Sequence, residues 1–359
     1  MAASPSLKTR AARRSHGRAT LADVAGVAGV TAITVSRYLR EPHRVASTTA
    51  AVVARALTTT GYVPNKQAGA LASAGTGASR MVALLIPSIA NSIFAETVQG
   101  LADALQGSGC ELLLAATNYS TAREEAQLRA LMGWFPSAIV VTGRRHSDGA
   151  LALLHQARDR GAPVIEIWDH HPGRSPQEGG FTQIGFDHAE VGRAMAAHLI
   201  ERGHRTLAYL DSGVAEDFRA HERGQGFLAE ARRKGVAARH FVAPLVGEAI
   251  QAGREALPLL LDAKGRPAFS AVAFANDHLA CGALLAAQAR RLNVPRDLAL
   301  LGFGDFALGR QLEPKLSTVQ VPRLEIGTVA GQALLAALGS NTAAAGQRLP
   351  WTLVLRGST

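Results

Sequence analysis

Cysteine is scarce in this chain, which contains only Cys110 and Cys281 among its 359 residues. Both cysteines lie within apolar segments. Two isolated residues are too few for a disulfide framework, and nothing around them has the spacing of a metal site. We therefore interpret both as buried free thiols of a protein that stays in a reducing compartment.

Long apolar runs are also missing. Hydrophobic residues make up 47% of the chain, enough for sizeable cores, yet no run reaches 18 uninterrupted apolar residues. We therefore expect no membrane span. The first 20 residues are basic and lack the apolar stretch of a secretory signal, so we expect the protein to act in the cytoplasm.

The signatures of catalysis and of nucleotide binding are absent from the sequence. The first strand is not followed by a G-x-G-x-x-G pattern, no Walker pattern occurs, and GFGD at 302–305 is interpreted as a strand end. No nucleophile stands beside a positioned base. The neighbours His170 and His171 lack a third ligand at metal spacing. We therefore expect no enzyme, no cofactor and no metal.

Positive charge is concentrated at the N-terminus. The formal net charge is +10, and residues 1–78 carry ten positive and two negative side chains, a balance of +8. A basic module attached to a near-neutral body is typical of a nucleic-acid reader with a separate regulatory part. Residues 1–19 alone, rich in alanine, arginine and serine, are predicted to form a disordered arm.

Three short helical patterns follow the arm. Thr20 can cap the first helix with Asp23 at its third position, and Gly29 allows a tight turn after it. Thr31 can cap the second helix and Ser47 the third. A helix, a glycine turn and a second helix would place the start of the second helix in the major groove of DNA.

From residue 80 onward, apolar strand-like runs alternate with amphipathic helical patterns about every 25–30 residues. This alternation predicts parallel sheets with right-handed crossovers, arranged as two doubly wound α/β subdomains. The predicted domain boundaries are 20–63 for the helical domain, 64–79 for a hinge helix and linker, and 80–359 for the core, with one subdomain at about 80–179 and 306–322 and the other at about 180–305 and 323–359.

The segment 20–73 resembles the DNA-binding headpiece of the lac-repressor (LacI/GalR) family along its whole length. The matching pieces are TLADVA, GV-T-TVSR-L, the V-S-T helix start and GYVPN-A-AL. Several fixed spacings agree at once, which makes the signal specific. From MVALLIPS onward the chain resembles the effector-binding core of the family. Within the family it resembles the gluconate-utilisation repressors through LLIPSIANSIFAETVQG, PVIEIWD and IGFDHAEVGR.

The resemblance implies a small all-α helix-turn-helix headpiece and a core of the periplasmic-binding-protein type I, built from two parallel sheets. It implies a nucleoid-associated transcription repressor that binds a pseudo-palindromic DNA operator as a homodimer, or as a tetramer of dimers. A small sugar-like effector, gluconate or a related sugar acid, would act as inducer, although some members use their ligand as corepressor. The alternative is a sugar-binding protein of the periplasmic type without a DNA function, which the basic headpiece disfavours.

The resemblance assigns DNA contacts to the second helix and to the hinge. Ala32 and Ile33 occupy the base-reading turn, where their apolar side chains can touch a thymine methyl but cannot donate hydrogen bonds. Arg37 can offer a paired fork to guanine. Leu71 would wedge between base pairs in the minor groove. The predicted DNA-binding residues are Thr20, Thr31, Ala32, Ile33, Thr34, Ser36, Arg37, Asn65, Ala68 and Leu71.

The resemblance also places an effector site in the crevice between the carboxyl ends of the two sets of strands. Asp277 would accept hydrogen bonds from two sugar hydroxyls, or would act only at a helix start. Arg223 would grip an oxygen pair, or would form a surface ion pair. Many members carry aspartate one position before Asp169, where this chain has Trp168. The predicted effector-binding residues are Ser88, Phe94, Thr142, Arg144, Asp169, Arg223 and Asp277.

Replacement of Leu71 tests the wedge. We expect Leu71→Ala to weaken operator binding and to leave ligand affinity nearly unchanged, because an intercalating side chain contacts DNA only. Fluorescence anisotropy with labelled operator measures the first quantity, and calorimetric titration with ligand measures the second. Normal operator affinity and a normal DNA bend in the variant would show that Leu71 is a linker residue.

Overall fold

A computed structural model describes two compact units, with the boundary between Ser79 and Arg80. Asn65, Ala68 and Leu71, predicted to contact DNA, lie outside the described residues. None of the described helices is long and apolar enough to cross a membrane. The described residues are 19–62, 80–90, 92–171, 180–340 and 346–359.

The N-terminal unit contains three helices, and the local chemistry of their ends explains where they begin and stop. Thr20 Oγ1 accepts a hydrogen bond from the Asp23 amide, while the Asp23 carboxylate accepts one from the Thr20 amide at 2.7 Å, as the sequence predicts. Gly29 then turns the chain at φ +64°. The helices are α1 (Leu21–Ala28), α2 (Ala32–Arg40) and α3 (Ser47–Thr60), with a 3-10 turn at Pro42–Arg44.

The start of α3 differs from the prediction. The capping residue is Ala46, whose carbonyl accepts the Ala50 amide at 2.9 Å, so Ser47 is already inside the helix. The three helices close around Val24, Val35 and Val53, which are fully buried. One small apolar cluster therefore holds this unit together.

The second unit is an α/β core of parallel strands with helices on both faces. Its strands are β1 (Met81–Ile86), β2 (Glu111–Ala116), β3 (Ala138–Thr142), β4 (Val164–Ile167), β5 (Thr182–Gly185), β6 (Thr206–Asp211), β7 (Ala237–Val242), β8 (Ala271–Phe274), β9 (Ala299–Phe303), β10 (Ser317–Gln320), β11 (Gln347–Arg348) and β12 (Thr352–Val354). Its helices are α4 (Ser92–Leu105), α5 (Thr121–Met132), α6 (Asp148–Asp159), α7 (His188–Glu201), α8 (Phe218–Arg233), α9 (Ala249–Ala256), α10 (Asp277–Ala289) and α11 (Arg323–Ser340), with 3-10 turns at Leu257–Leu260 and Ala307–Arg310.

Among the described residues these strands form two six-stranded sheets, as the alternating pattern predicts. The first has the order β11-β5-β4-β3-β1-β2, and the second has the order β12-β10-β9-β8-β6-β7. Every neighbouring pair is parallel except β10 with β12. The predicted fold, a helical headpiece with two doubly wound sheets, is therefore confirmed.

The strand β1 shows why the buried strands are uninterrupted apolar runs. Leu84 faces the cluster that includes Leu101 of α4, whereas its neighbour Leu85 faces the cluster that includes Leu128 of α5 and Leu154 of α6. Successive side chains of a strand point to opposite faces, and here helices cover both. Polar residues at alternate positions would therefore be buried without partners.

The predicted subdomain boundaries are wrong, because strand pairing divides the chain differently. The strand β5, assigned to the second subdomain, pairs with β4 in the first sheet. The strand β10, assigned to the first subdomain, pairs with β9 in the second. The helix α11 then packs on α4 of the first sheet, and β11 and β12 join different sheets. The chain therefore crosses three times between the halves.

Glycines let α4 and α11 approach closely. A Cβ atom on Gly327 would lie 2.0 Å from the Thr97 carbonyl oxygen, and one on Gly100 would lie 2.2 Å from the Leu324 carbonyl oxygen. Thr97 Oγ1 donates a hydrogen bond to the Arg323 carbonyl at 2.8 Å across the same contact. Any side chain at either glycine would push the two helices apart.

Two glycine replacements on α11 test this contact. We expect Gly327→Ala to destabilise the protein by about 1–3 kcal/mol, because overpacking at a backbone contact outweighs the gain in helix propensity. Gly339, which has no atom near its would-be Cβ, is the matched control. Gly339→Ala should be neutral or stabilise by up to about 1 kcal/mol. Thermal unfolding of both full-length variants checks the prediction, and equal melting temperatures would contradict it.

Candidate functional site

The exposed face of α2 carries the predicted base-reading residues. Ile33 is 72% exposed, and Ala32 and Arg37 are exposed beside it, while Val35 of the same helix is fully buried. An isoleucine this exposed is costly in water unless it meets an apolar surface. Thr31 caps the helix by accepting a hydrogen bond from the amide of Thr34. The helix therefore presents an apolar tip at its start, and the exposed Arg37 lies one turn after Ile33.

The core contains a cavity at the carboxyl ends of strands from both sheets. Among the seven residues predicted to bind effector, Thr142, Arg144 and Asp169 line it. The hydroxyl of Thr142 donates a hydrogen bond to the Leu85 carbonyl at 2.9 Å. The complete lining is Pro87, Thr117, Tyr119, Ser120, Thr121, Glu124, Thr142, Gly143, Arg144, Arg145, Asp169, Glu216, Phe218, Arg219 and Glu222.

The cavity has two walls: the first is formed by segments that follow strands of the first sheet, and the second by the start of α8. Three guanidinium groups approach the cavity from these two walls. Arg144 and Arg145 follow β3 of the first sheet, and both donate to Glu222 of α8, at 2.7 and 3.0 Å. Arg219 enters from the first turn of α8, 6.0 Å from the centre of the Phe94 ring. Within the described part of the chain, Arg219 has no hydrogen bond or ion pair. The cavity therefore combines two guanidinium groups paired with Glu222 and a third, that of Arg219, without such a partner among the described residues.

Arg145, Arg219 and Glu222 are not among the predicted site residues. A signal was available for Arg219, because it lies four residues before Arg223 and hence on the same face of a helix. No such signal exists for Glu222 with Arg144, which are 78 residues apart. Only the fold shows that these two side chains meet.

Asp169 lies at the inner end of the cavity. Burial raises the pKa of its carboxyl to about 6, against the opposing influence of Arg219 and Arg144. The preceding residue, Trp168, has φ +72°, a conformation that costs free energy for a bulky side chain. Its ring packs edge-on against Phe94 at 5.4 Å between centroids. The aromatic packing therefore holds a strained turn that directs Asp169 into the cavity.

Arg223 is buried behind the cavity and does not line it. Its Nη1 donates to His188 Nδ1 at 2.9 Å, its Nη2 donates to the Ala275 carbonyl at 2.8 Å, and its guanidinium lies 3.8 Å from the centre of the Phe303 ring. Burial and Arg223 hold the pKa of His188 well below its usual value, so this imidazole is neutral. The predicted alternative, a surface ion pair of Arg223, is wrong because the side chain is buried.

Asp277 also lies outside the cavity lining. Its two carboxylate oxygens accept hydrogen bonds from Thr318 Oγ1 at 2.6 Å and from the Phe306 amide at 2.7 Å. Burial raises the pKa of the carboxyl to about 6. The helix cap is Asn276, which accepts the Leu279 amide, so Asp277 is not the capping residue. Its oxygens thus join the loop after β9 to β10.

The remaining predicted residues of the first wall differ in exposure. Ser88 is half-buried in the segment between β1 and α4, and Phe94 is buried against Trp168. The side chain of the neighbouring His146 is fully buried between Glu124 at 2.6 Å and Glu166 at 3.4 Å. It therefore secures the loop after β3 from behind and does not face the cavity.

The charge of His146 follows from its two partners. Burial alone would lower the pKa of this imidazole, but its contacts with Glu124 and Glu166 outweigh burial and raise the pKa to about 9. The group is therefore a buried imidazolium at neutral pH. Because it lies two residues after Arg144, it limits where the two arginines of this loop can reach.

Comparisons with known proteins agree over both units. Residues 20–65 match the bacterial regulatory proteins of the lacI family, and residues 196–359 match a periplasmic binding protein-like domain. The chain is 36% identical over 325 residues to the HTH-type transcriptional regulator GntR of Pseudomonas aeruginosa, covering 90% of each protein. It is 32% identical over 320 residues to the regulator GntR of Escherichia coli, covering 89% of this chain and 92% of that protein. A LacI family regulator from Silicibacter pomeroyi has 31% identity and a TM-score of 0.84, over 95% of this chain and 99% of that structure.

The buried carboxyl of Asp169 gives a prediction on pH dependence. Its pKa of about 6 in the folded protein lies above the ordinary value of 3.8, so this carboxyl costs the folded protein stability as the pH rises from about 4 to about 6. Asp169→Asn lacks this titration, and its unfolding free energy relative to wild type should rise by up to about 3 kcal/mol over that range. Urea denaturation at pH 4 to 7 measures the difference. The exposed Asp159→Asn serves as control, and a difference that stays constant for Asp169→Asn would refute the prediction.

Proposed function

The chain belongs to the lacI family of bacterial regulatory proteins, and we propose that it represses transcription until a sugar acid, gluconate or a close relative, releases it from its operator. Regulators of this family bind operator DNA and small sugar effectors and act as dimers. The resemblance to gluconate-utilisation repressors supports the choice of ligand. The single observation that carries it is the guanidinium of Arg219 in the cavity, which has no hydrogen bond or ion pair within the described ranges of the chain.

The cavity chemistry supports an acidic ligand. A guanidinium group offers paired donors whose geometry matches a carboxylate, and such charge-assisted hydrogen bonds are about twice as strong as neutral ones. Arg219 is available for this role, and the Thr121 and Tyr119 side chains nearby in the lining suit sugar hydroxyls. We therefore propose that the ligand carboxylate meets Arg219 and that its hydroxyls meet the polar rim.

The predicted effector residues then divide by depth. We propose Thr142, Arg144 and Asp169 as direct ligand contacts, because they line the cavity. Arg223 and Asp277 are engaged inside the protein and stay predictions for ligand contact in a more open crevice. Ser88 and Phe94, on the segment after β1, likewise stay predictions. The ligand would thus first contact the residues that line the cavity, and would reach the deeper residues only in a more open crevice.

We propose that repression follows from how the α2 surface is presented. Ile33 and Arg37 would reach base edges in the major groove, with Thr31, Thr34 and Ser36 near the phosphates, and a homodimer would place two such helices on a pseudo-palindromic site. The exposure of Ile33 and Arg37 on one face supports this role. Asn65, Ala68 and Leu71 remain proposed hinge contacts.

Ligand would act by biasing the crevice. Contacts already span the crevice. Glu216 accepts a hydrogen bond from the Thr121 amide at 2.8 Å, and Glu222 accepts hydrogen bonds from Arg144 and Arg145 on the opposite wall. A ligand that binds one arrangement of the two sheets better shifts the protein toward it, and family-type coupling of about 1–3 kcal/mol lowers operator affinity about 5- to 150-fold. The same coupling requires operator DNA to weaken ligand binding.

Titration of the operator complex tests this function. We expect gluconate to release labelled operator, selected from random duplexes, from the wild-type protein. Arg219→Gln should require at least about tenfold more gluconate, because a lost charged hydrogen bond is worth about 1.5–3 kcal/mol. Arg232→Gln, the same change on an exposed turn of the same helix, is the matched control and should respond like wild type. If no sugar acid releases the wild-type protein, the ligand class is wrong, and if Arg219→Gln responds normally, Arg219 is not a contact.

A further inference from the structure

Glu222 occupies an unusual position for a carboxylate of a ligand cavity. Its Oε1 atom accepts hydrogen bonds from Arg144 Nη2 at 2.7 Å and from Arg145 Nε and Nη2 at 3.2 and 3.0 Å. Its side chain is 12% exposed, and it comes from α8, on the wall opposite the two arginines. One oxygen therefore takes three donors of the very groups that suit an acidic ligand.

From this geometry we infer that Glu222 is an internal stand-in for the carboxylate of the ligand, so that an acidic effector binds at Arg144 and Arg145 by displacing it. This inference rests on the proposed function and adds a step to it. The acid that enters takes over the two guanidinium groups, and Glu222 leaves them by rotating about its own side-chain bonds. A neutral sugar cannot replace a carboxylate at this place, so the exchange selects acids.

The surroundings favour exchange over a permanent ion pair. Arg145 is 52% exposed at its side chain, and its guanidinium lies 5.2 Å from the centre of the Phe218 ring, which supports it when Glu222 is absent. Arg144 has a second carboxylate nearby, Asp169 at 3.9 Å. Both guanidinium groups would therefore keep a partner while the carboxylate that bridges them is replaced.

The exchange also explains how acid binding reaches both walls. The bonds of Glu222 to Arg144 and Arg145 join α8 to the loop after β3, so losing them unlocks one contact across the crevice. An acid that accepts hydrogen bonds from Arg144, Arg145 and Arg219 again connects α8 to the loop after β3, but in a different geometry. The ligand and Glu222 thus compete for one site while stabilising different arrangements of the two sheets.

Removing the internal carboxylate tests the inference. We expect Glu222→Gln to bind gluconate at least about tenfold more tightly than wild type, and to leave the affinity for sorbitol, a neutral polyol, unchanged. Glu222→Asp keeps the charge but withdraws the carboxylate by one methylene, and should show a smaller gain in the same direction. Calorimetric titration of the full-length proteins measures each affinity, and the melting temperature of each variant verifies that it is folded.

A matched control separates the displacement of Glu222 from the general electrostatic effect of removing one negative charge from the cavity. Glu216→Gln removes one negative charge from the same cavity lining without touching either arginine, since Glu216 bonds the Thr121 amide. We expect it to gain less than threefold for gluconate. An equal gain in Glu216→Gln, or a loss of affinity in Glu222→Gln, would overturn the inference. In the second case Glu222 holds the arginines in place for the ligand.

Simple anions keep this test independent of the choice of ligand. Acetate and sulfate should raise the melting temperature of Glu222→Gln more than that of wild type, and this extra rise should vanish in the double variant Glu222→Gln/Arg144→Gln. If gluconate binds neither protein but the anions behave in this way, the proposed ligand is wrong and the exchange stands. If gluconate binds wild type and Glu222→Gln equally and the anions show no difference, the exchange is wrong and the proposed ligand stands.

Discussion

The guanidinium of Arg223 is the contact on which the two halves of the core depend. One nitrogen donates to the Ala275 carbonyl, just after β8 of the second sheet, and another donates to His188, whose opposite nitrogen bonds the Trp168 carbonyl at the end of β4 in the first sheet. The Phe303 ring covers the guanidinium. This chain of bonds holds the turn at Trp168, which in turn directs Asp169 into the cavity. The interior contact therefore helps to set the shape of the cavity.

This arrangement costs free energy. Arg223 is buried beside a neutral imidazole, and the carboxyls of Asp169 and Asp277 have pKa values raised to about 6 by burial. Replacing buried ionic groups by apolar ones is often neutral or stabilising, so such groups are weak evidence for stability. These buried groups are better explained by the segments and side chains that they hold in position. Asp277 joins the loop after β9 to β10 through its two oxygens, and Asp169 supplies a carboxyl whose charge responds to its surroundings.

The first turn of α8 concentrates the contacts that cross the crevice. Glu222 pairs with the arginines after β3, Phe218 lies under Arg145, and Arg219 faces the opposite wall without a hydrogen bond of its own among the described residues. Because these side chains lie on one turn of one helix, a ligand that engages any of them acts on all of them. A ligand bound at this turn would therefore bias the arrangement of the two sheets, which is the differential interaction that a ligand-controlled regulator requires.

The sequence by itself determined the features that depend on near neighbours in the chain. Thr20 and Asp23 form the predicted capping box, Gly29 adopts the left-handed turn, and the spacing of apolar runs predicted two parallel sheets. Only the tertiary structure decided which strands belong to which sheet and that Glu222 meets Arg144 across 78 residues. A cap or a turn is a bond within one helical turn, so its residues carry the whole signal. The membership of a strand and the lining of a cavity depend instead on crossovers that bring distant segments together, and their free energy is spread over the entire core.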